Sequence, residues 1–280
     1  AMSESESPRP RRNRRRIMFA VLAVLVPVVP IVIALSLTGA SVHTATAARA
    51  QPRTSPYTPV VRTHAPPTVH HASKTALPGG AGALVGYLLA PEALRSAPGG
   101  GGHTIGRLTT KTSFGSAETV LVRRVKGHWL GVVNVAVGNN RLGWIPSAHV
   151  QLTRVDWQLH AILSRHELFV YHDGRVVRHY VIATGRPTAP TPTGTFAVTD
   201  KLNTGDPGGS YGCCILALSA KAPHAIQDWS GGNRIAVHST PDTGTIGQSI
   251  SHGCMHVTLP EGDWLIHHVP LGTPAVVSTA

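Results

Sequence analysis

Arg234-Ile235-Ala236-Val237-His238-Ser239-Thr240, then a loop holding Gly244 and Gly247, then Ser249-Ile250-Ser251-His252-Gly253-Cys254-Met255-His256-Val257: this stretch carries the chemistry of the chain. Arg234 to His238 reads as a short buried strand, an apolar run closed by small polar residues. A thiol attacks as the thiolate, which a neighbouring imidazole generates by taking its proton. The glycines allow the loop to fold back and bring His238 against Cys254. Gly253 removes a side chain where a carbonyl must approach and leaves room for backbone N–H groups to face a developing oxyanion. By residue type alone, one Cys among several His also describes buried structural side chains. His238, His252, Cys254 and His256 also contain zinc-ligand types, though not at the regular spacing of zinc sites.

The flanking sequence is β-rich. Leu168-Phe169-Val170-Tyr171 and Val176 to Ile182 surround Asp173-Gly174, a strong hairpin signal. Thr191-Pro192-Thr193-Gly194-Thr195-Phe196 is a Pro/Gly turn leading into a strand. A Gly-rich loop, Gly205 to Gly212, precedes Cys213-Cys214. Pro260 to about His268 is the one helical pattern in this part, with Pro270 just beyond. The chain has three cysteines, and an odd number in an exported protein leaves at least one thiol free. A bridge between adjacent cysteines is strained, since their Cα atoms are about 3.8 Å apart. Cys213 and Cys214 are therefore expected to be structural thiols on a strand, with a redox link from one of them to Cys254 as a hypothesis.

The pattern of His238 followed by Ser251-His252-Gly253-Cys254, with Cys254 sixteen positions after the His, resembles the signature of the L,D-transpeptidases. Thr191 to Phe196 and the closing Gly272-Thr273-Pro274 resemble segments common in that family, and the likeness covers about residues 155–279. It implies a peptidoglycan L,D-transpeptidase. Such an enzyme cleaves a tetrapeptide stem between an L-configured centre of diaminopimelate and the terminal D-Ala. It holds the acyl group as a thioester and passes it to an amine, giving 3-3 cross-links, and carbapenems inactivate it by acylating the cysteine. The resemblance makes Cys254 the nucleophile and His238 the base. His252, Gly253, Ser239 and Ser251 become supporting residues, with the Gly253 and Cys254 N–H groups as oxyanion donors. Tyr211 and His256 become substrate contacts. His256 departs from the family, which usually carries Arg or Asn there. No metal and no cofactor is implied. An L,D-carboxypeptidase acting through the same thioester, and a non-catalytic wall-binding protein, are the alternatives.

Working outward, residues 83–152 show short β segments (Val85 to Ala90, Thr119 to Arg124, His128 to Val135, Gly143 to Ile145) between Gly- and Ser-rich turns. About five short strands in so short a span point to a small barrel. The Gly106-Arg107-Leu108 start and the closing Gly143-Trp144-Ile145-Pro146 resemble bacterial SH3-like domains. Trp129 and Trp144 are expected in its core. Residues 38–82 are rich in Pro and Thr without apolar periodicity, an extended tether. Residues 17–37 are uncharged and, as a helix, about 30 Å long, enough to span a membrane. A basic tail, 1–16, precedes them and would stay in the cytoplasm. A cleavable signal peptide ending near Ala45-Thr46-Ala47 is the competing reading, and both export the rest.

The expected fold class is thus mainly β. A small SH3-like barrel precedes a 153–280 catalytic domain, an L,D-transpeptidase-type sandwich of mixed sheets with a short helix, all behind an N-terminal transmembrane helix. With 280 residues and a formal charge of +12, the chain favours anionic surfaces. It carries no finger, homeodomain or RNA-binding signature, so no nucleic acid is expected. The expected partners are peptidoglycan stem peptides and the cytoplasmic membrane of a bacterial envelope, with no oligomeric state implied.

Overall fold

A computed structural model describes residues 82–223 and 233–280, all within the compact unit Ser55–Ala280. The basic tail, the apolar run 17–37 and nearly all of the tether lie outside the described residues. Among the described residues no helix is long and apolar enough to cross a membrane.

The first module contains β1 (Ala83–Leu88), β2 (Glu92–Arg95), β3 (Thr104–Leu108), β4 (Thr119–Lys126), β5 (Trp129–Val133), β6 (Gly143–Pro146) and β7 (Val150–Val155). They form one antiparallel sheet in the order β3-β2-β6-β5-β4-β1-β7. β2 escapes a sequence reading because Glu92, Ala93 and Arg95 are poor strand formers that pairing holds in place. Alternation along each strand divides the two faces. Leu94, Leu108, Val120, Val122, Leu130 and Ile145, from five strands, meet in a single core, so the sheet curls around them. Trp129 and Trp144 are only partly buried and lie outside that core, contrary to expectation. The opposite face presents Val85, Leu121, Val133 and Val155, which pack with Ala197 of the second module. β7 runs through residue 152, where the sequence suggests the first module ends.

The second module contains β8 (Trp157–Ile162), β9 (Glu167–His172), β10 (Arg175–Val181), β11 (Thr184–Gly185), β12 (Gly194–Asn203), β13 (Cys214–Lys221), β14 (Arg234–Thr240), β15 (Ser249–Ser251), β16 (Met255–Thr258), α1 (Leu259–His268) and β17 (Pro274–Ser278). Eight strands make a mixed sheet in the order β10-β9-β8-β17-β12-β13-β14-β16. β17 runs parallel to β8, and β16 parallel to β14. β12 is shared between two halves. Its first part, Gly194 to Ala197, pairs with β17, and after an irregularity near Val198 the rest pairs with β13. That switch lets one sheet wrap a core of Phe196, Leu216, Leu218, Ile235, Val237 and Met255, which α1 closes with Leu265 and Ile266. The fold is mainly β, with mixed strands and one short helix, as expected.

Local signals read from the sequence appear where the chemistry requires them. Asp173 and Gly174 both take positive φ (51° and 72°) between β9 and β10, the geometry of a tight hairpin. Pro260 lies in the first turn of α1, and Glu261 accepts a hydrogen bond from the Thr258 N–H at 2.8 Å.

Candidate active site

β14 is buried along its whole length, and its parallel partner β16 sets the register: Val237 faces Met255 and His238 faces His256. Cys254, one residue before β16, therefore lies beside Ala236, and side chains two apart share a face. Cys254, His238 and His256 accordingly open into one cavity of about 280 Å³, which Tyr211, Ser251 and His252 also line.

The turn before the cysteine is held by its own residues. Gly253 has a φ of +116°, a region that favours glycine, and a Cβ there would stand 2.8 Å from Ile235 Cδ1. Ser251 clamps the turn: its Oγ donates to the Cys254 carbonyl at 2.6 Å and accepts the Gly253 N–H at 3.0 Å. That second bond occupies one of the two oxyanion donors expected from the sequence, leaving the Cys254 N–H as the candidate.

His238 is positioned through its backbone neighbour. Its Nδ1 lies 2.9 Å from the Ser239 carbonyl oxygen. A carbonyl only accepts, so Nδ1 carries the proton and Nε2 keeps its lone pair. The Tyr211 ring stands edge-on to the imidazole, centroids 4.9 Å apart, and the His256 ring lies 4.3 Å away on the other strand. The Ser239 side chain faces elsewhere. Its Oγ accepts the Cys214 N–H at 3.0 Å and sits 3.4 Å from Cys213 Sγ, so it holds the start of β13.

Burial governs the electrostatics. It lowers the His238 pKa to about 3, with His256 adding to the effect. It also raises the Cys254 thiol to about 11. Burial, then His252, lowers the pKa of His256 as well. Burial thus favours a thiol beside a neutral imidazole over an ion pair at neutral pH.

The two adjacent cysteines overturn an expectation. Cys213 and Cys214 are joined in a disulfide and are not structural thiols. On a regular strand their side chains would point to opposite faces. However, β13 begins only at Cys214, and Gly212 turns the chain just before with a φ of +53°. Cys254 is left as the free thiol, and no link to it is formed. His238, His252, Cys254 and His256 do not bring three ligand atoms within 4.8 Å of one another. Among the described residues, the one group of three such ligand atoms within 4.8 Å of one another is Asp156, His172 and Asp173, on another part of the module.

The sequence reading missed Arg234 and Asp200. Asp200 is fully buried, and the Arg234 guanidinium meets it at 3.2 Å while also bonding the Leu218 carbonyl at 2.8 Å and Thr199 Oγ1. The signal was available: a buried Arg opening an apolar strand requires a buried acid elsewhere.

Residues 156–277 match the family model of the L,D-transpeptidase catalytic domain, YkuD. L,D-transpeptidase 1 of Mycobacterium tuberculosis is 30% identical over 128 residues, covering 42% of this chain and 48% of that protein. YkuD of Bacillus licheniformis is 27% identical over 119 residues, covering 42% of this chain and 64% of its own. The chain thus covers less than two thirds of either relative. A solved L,D-transpeptidase from Mycobacterium smegmatis overlays 49% of this chain and 72% of its own at 24% identity, with a TM-score of 0.35.

Proposed function

We propose, from a second module that matches the L,D-transpeptidase catalytic domain, that this protein is a peptidoglycan L,D-transpeptidase acting through Cys254 and His238. One observation carries the reading. The only free thiol among the described residues shares a face and a cavity with an imidazole whose Nδ1 proton is tied to the Ser239 carbonyl.

In this reading Cys254 Sγ attacks the stem carbonyl before the terminal D-Ala while His238 Nε2 takes the thiol proton. The S–C bond forms, the C–N bond breaks, and the proton passes to the departing D-Ala amine. An acceptor amine then attacks the thioester, gives up a proton to His238 and restores the thiol. Oxyanion stabilisation falls to the Cys254 N–H. Tyr211 and His256 line the acyl pocket, and His252 and Ser251 shape the turn. In the same reading the first module is SH3-like and directs the catalytic module to the wall. The 17–37 segment anchors the chain in the cytoplasmic membrane, with residues 38–82 as tether.

Incubating the purified protein with a disaccharide-tetrapeptide and following products by mass spectrometry tests the reading. A dimer lacking one terminal alanine, absent with Cys254→Ala, is the expected result. A tripeptide monomer alone would make the protein an L,D-carboxypeptidase, and no acyl adduct at all would leave wall binding.

A further inference from the structure

Between β3 and β4 the chain makes a small hairpin whose tip reaches the second module. Lys111 bridges Ala117, the Thr112 N–H donates to the Ser116 carbonyl at 2.9 Å, and Gly115 returns a bond to the Thr112 carbonyl at 3.0 Å. From this tip Thr112 Oγ1 donates to Asp200 Oδ1, and the Phe114 ring lies beneath the Arg234 guanidinium, 5.9 Å from Cζ to centroid. Asp200 thus has one carboxylate oxygen bound from each module: Oδ1 by Thr112 and Oδ2 by Arg234. At the foot of the hairpin the buried Glu118 accepts from Asn134 Nδ2 at 3.1 Å. Further along, Asn139 exchanges two hydrogen bonds with the Lys221 backbone, at 2.8 and 2.9 Å, fixing the end of β13 beside β14.

Arg234 is where this network meets the thiol. Its backbone carbonyl lies 4.0 Å from Cys254 Sγ, and Arg234 forms part of the wall of the catalytic cavity. Its side chain is spent on Asp200, Thr199 and Leu218, so the guanidinium anchors the strand rather than the substrate.

We infer that the first module positions the nucleophile: Thr112 and Phe114 hold the Asp200–Arg234 pair, and Arg234 fixes the backbone against which Cys254 Sγ sits. Thr112, Phe114 and Arg234 are positioning residues. The catalytic consequence rests on the reading of Cys254 as nucleophile, whereas the effect on the thiol itself does not. The physical warrant is that a buried ion pair is rigid only when its remaining hydrogen-bonding positions are filled. Here one of those positions is filled from the other module.

The test uses the full chain. Thr112→Val keeps the shape and removes the donor, Thr112→Ser restores it, and Phe114→Leu serves as a second variant. Cys254, the free thiol, is alkylated with iodoacetamide below the melting temperature, and acylation is measured separately. Losing a charge-assisted hydrogen bond should raise the population of open states about tenfold. Cys254 in Thr112→Val should then alkylate about tenfold faster, kcat for acylation should fall with KM unchanged, and Thr112→Ser should return both. An alkylation rate within about twofold of wild type in both Thr112→Val and Phe114→Leu, whatever their melting temperatures, overturns the inference. If alkylation responds while no stem is ever processed, the inference stands and the transpeptidase reading falls.

Discussion

The two ends of β14 bury polar groups in opposite ways. At its start, Arg234 is held by a carboxylate, a hydroxyl and a carbonyl, and the carboxylate is in turn bound from the first module. Toward its other end, His238 has one ring nitrogen tied down, and the other is left with an open cavity and a second imidazole. A buried polar group with every partner supplied is architecture; one left half satisfied at comparable desolvation cost is available for chemistry. Four positions along one strand separate the two conditions.

The largest effect should come from the open end. Cys254→Ala should abolish acylation, and His238→Ala should lower its rate about 10²–10⁴-fold without unfolding the protein. An unchanged rate in the His238 variant would remove the assigned difference between the two ends. Next comes the satisfied end. Arg234→Met leaves Asp200 buried without its cation and should cost about 3–5 kcal/mol in urea unfolding. The double variant Arg234→Met/Asp200→Leu should recover most of that loss. If the double variant is no more stable than Arg234→Met, the unpaired buried carboxylate is not the source of the loss.

A pH titration of stability sharpens the comparison further. His238 is depressed to about 3 from 6.5, so the unfolded chain binds the extra proton between these values. Its contribution is complete above pH 6.5 and is lost as pH falls toward 3, by about 1.4 kcal/mol per unit. Glu118 runs the other way. Burial, then Asp200, raises its pKa from 4.5 to about 7. Its contribution is complete below pH 4.5 and is lost as pH rises through 7. His238→Gln should flatten the acid side of the profile and Glu118→Gln the neutral side. A profile indifferent to both substitutions would contradict the burial of these groups. The smallest expected effect lies at the α1 cap, where Glu261→Ala should cost about 1 kcal/mol with activity retained.

Local features were legible in the sequence: the Asp173-Gly174 hairpin, the buried strand from Arg234, the helix from Pro260 and the Ser251-His252-Gly253-Cys254 turn. Each is encoded by neighbours within a few residues. What stayed hidden depends on distant partners. Arg234 reads only as an oddity until Asp200 and Thr112 are beside it, 34 and 88 positions from the atoms they bond. The parallel pairing that aligns His238 with His256 has no short-range signature. The closeness of adjacent Cα atoms argues against a Cys213–Cys214 bond, yet it forms where the chain turns at Gly212, just ahead of β13. The Gly253 N–H reads as free in the sequence, whereas the Ser251 hydroxyl holds it.

β17 joins β8 to β12 in the middle of the eight-stranded sheet, although residues 274–278 follow both in the sequence by more than seventy positions. During synthesis β8 and β12 can pair with β9 and β13, but each keeps one edge open until that segment has emerged. The two halves of the sheet, one of them carrying His238, stay unjoined until β17 arrives between them.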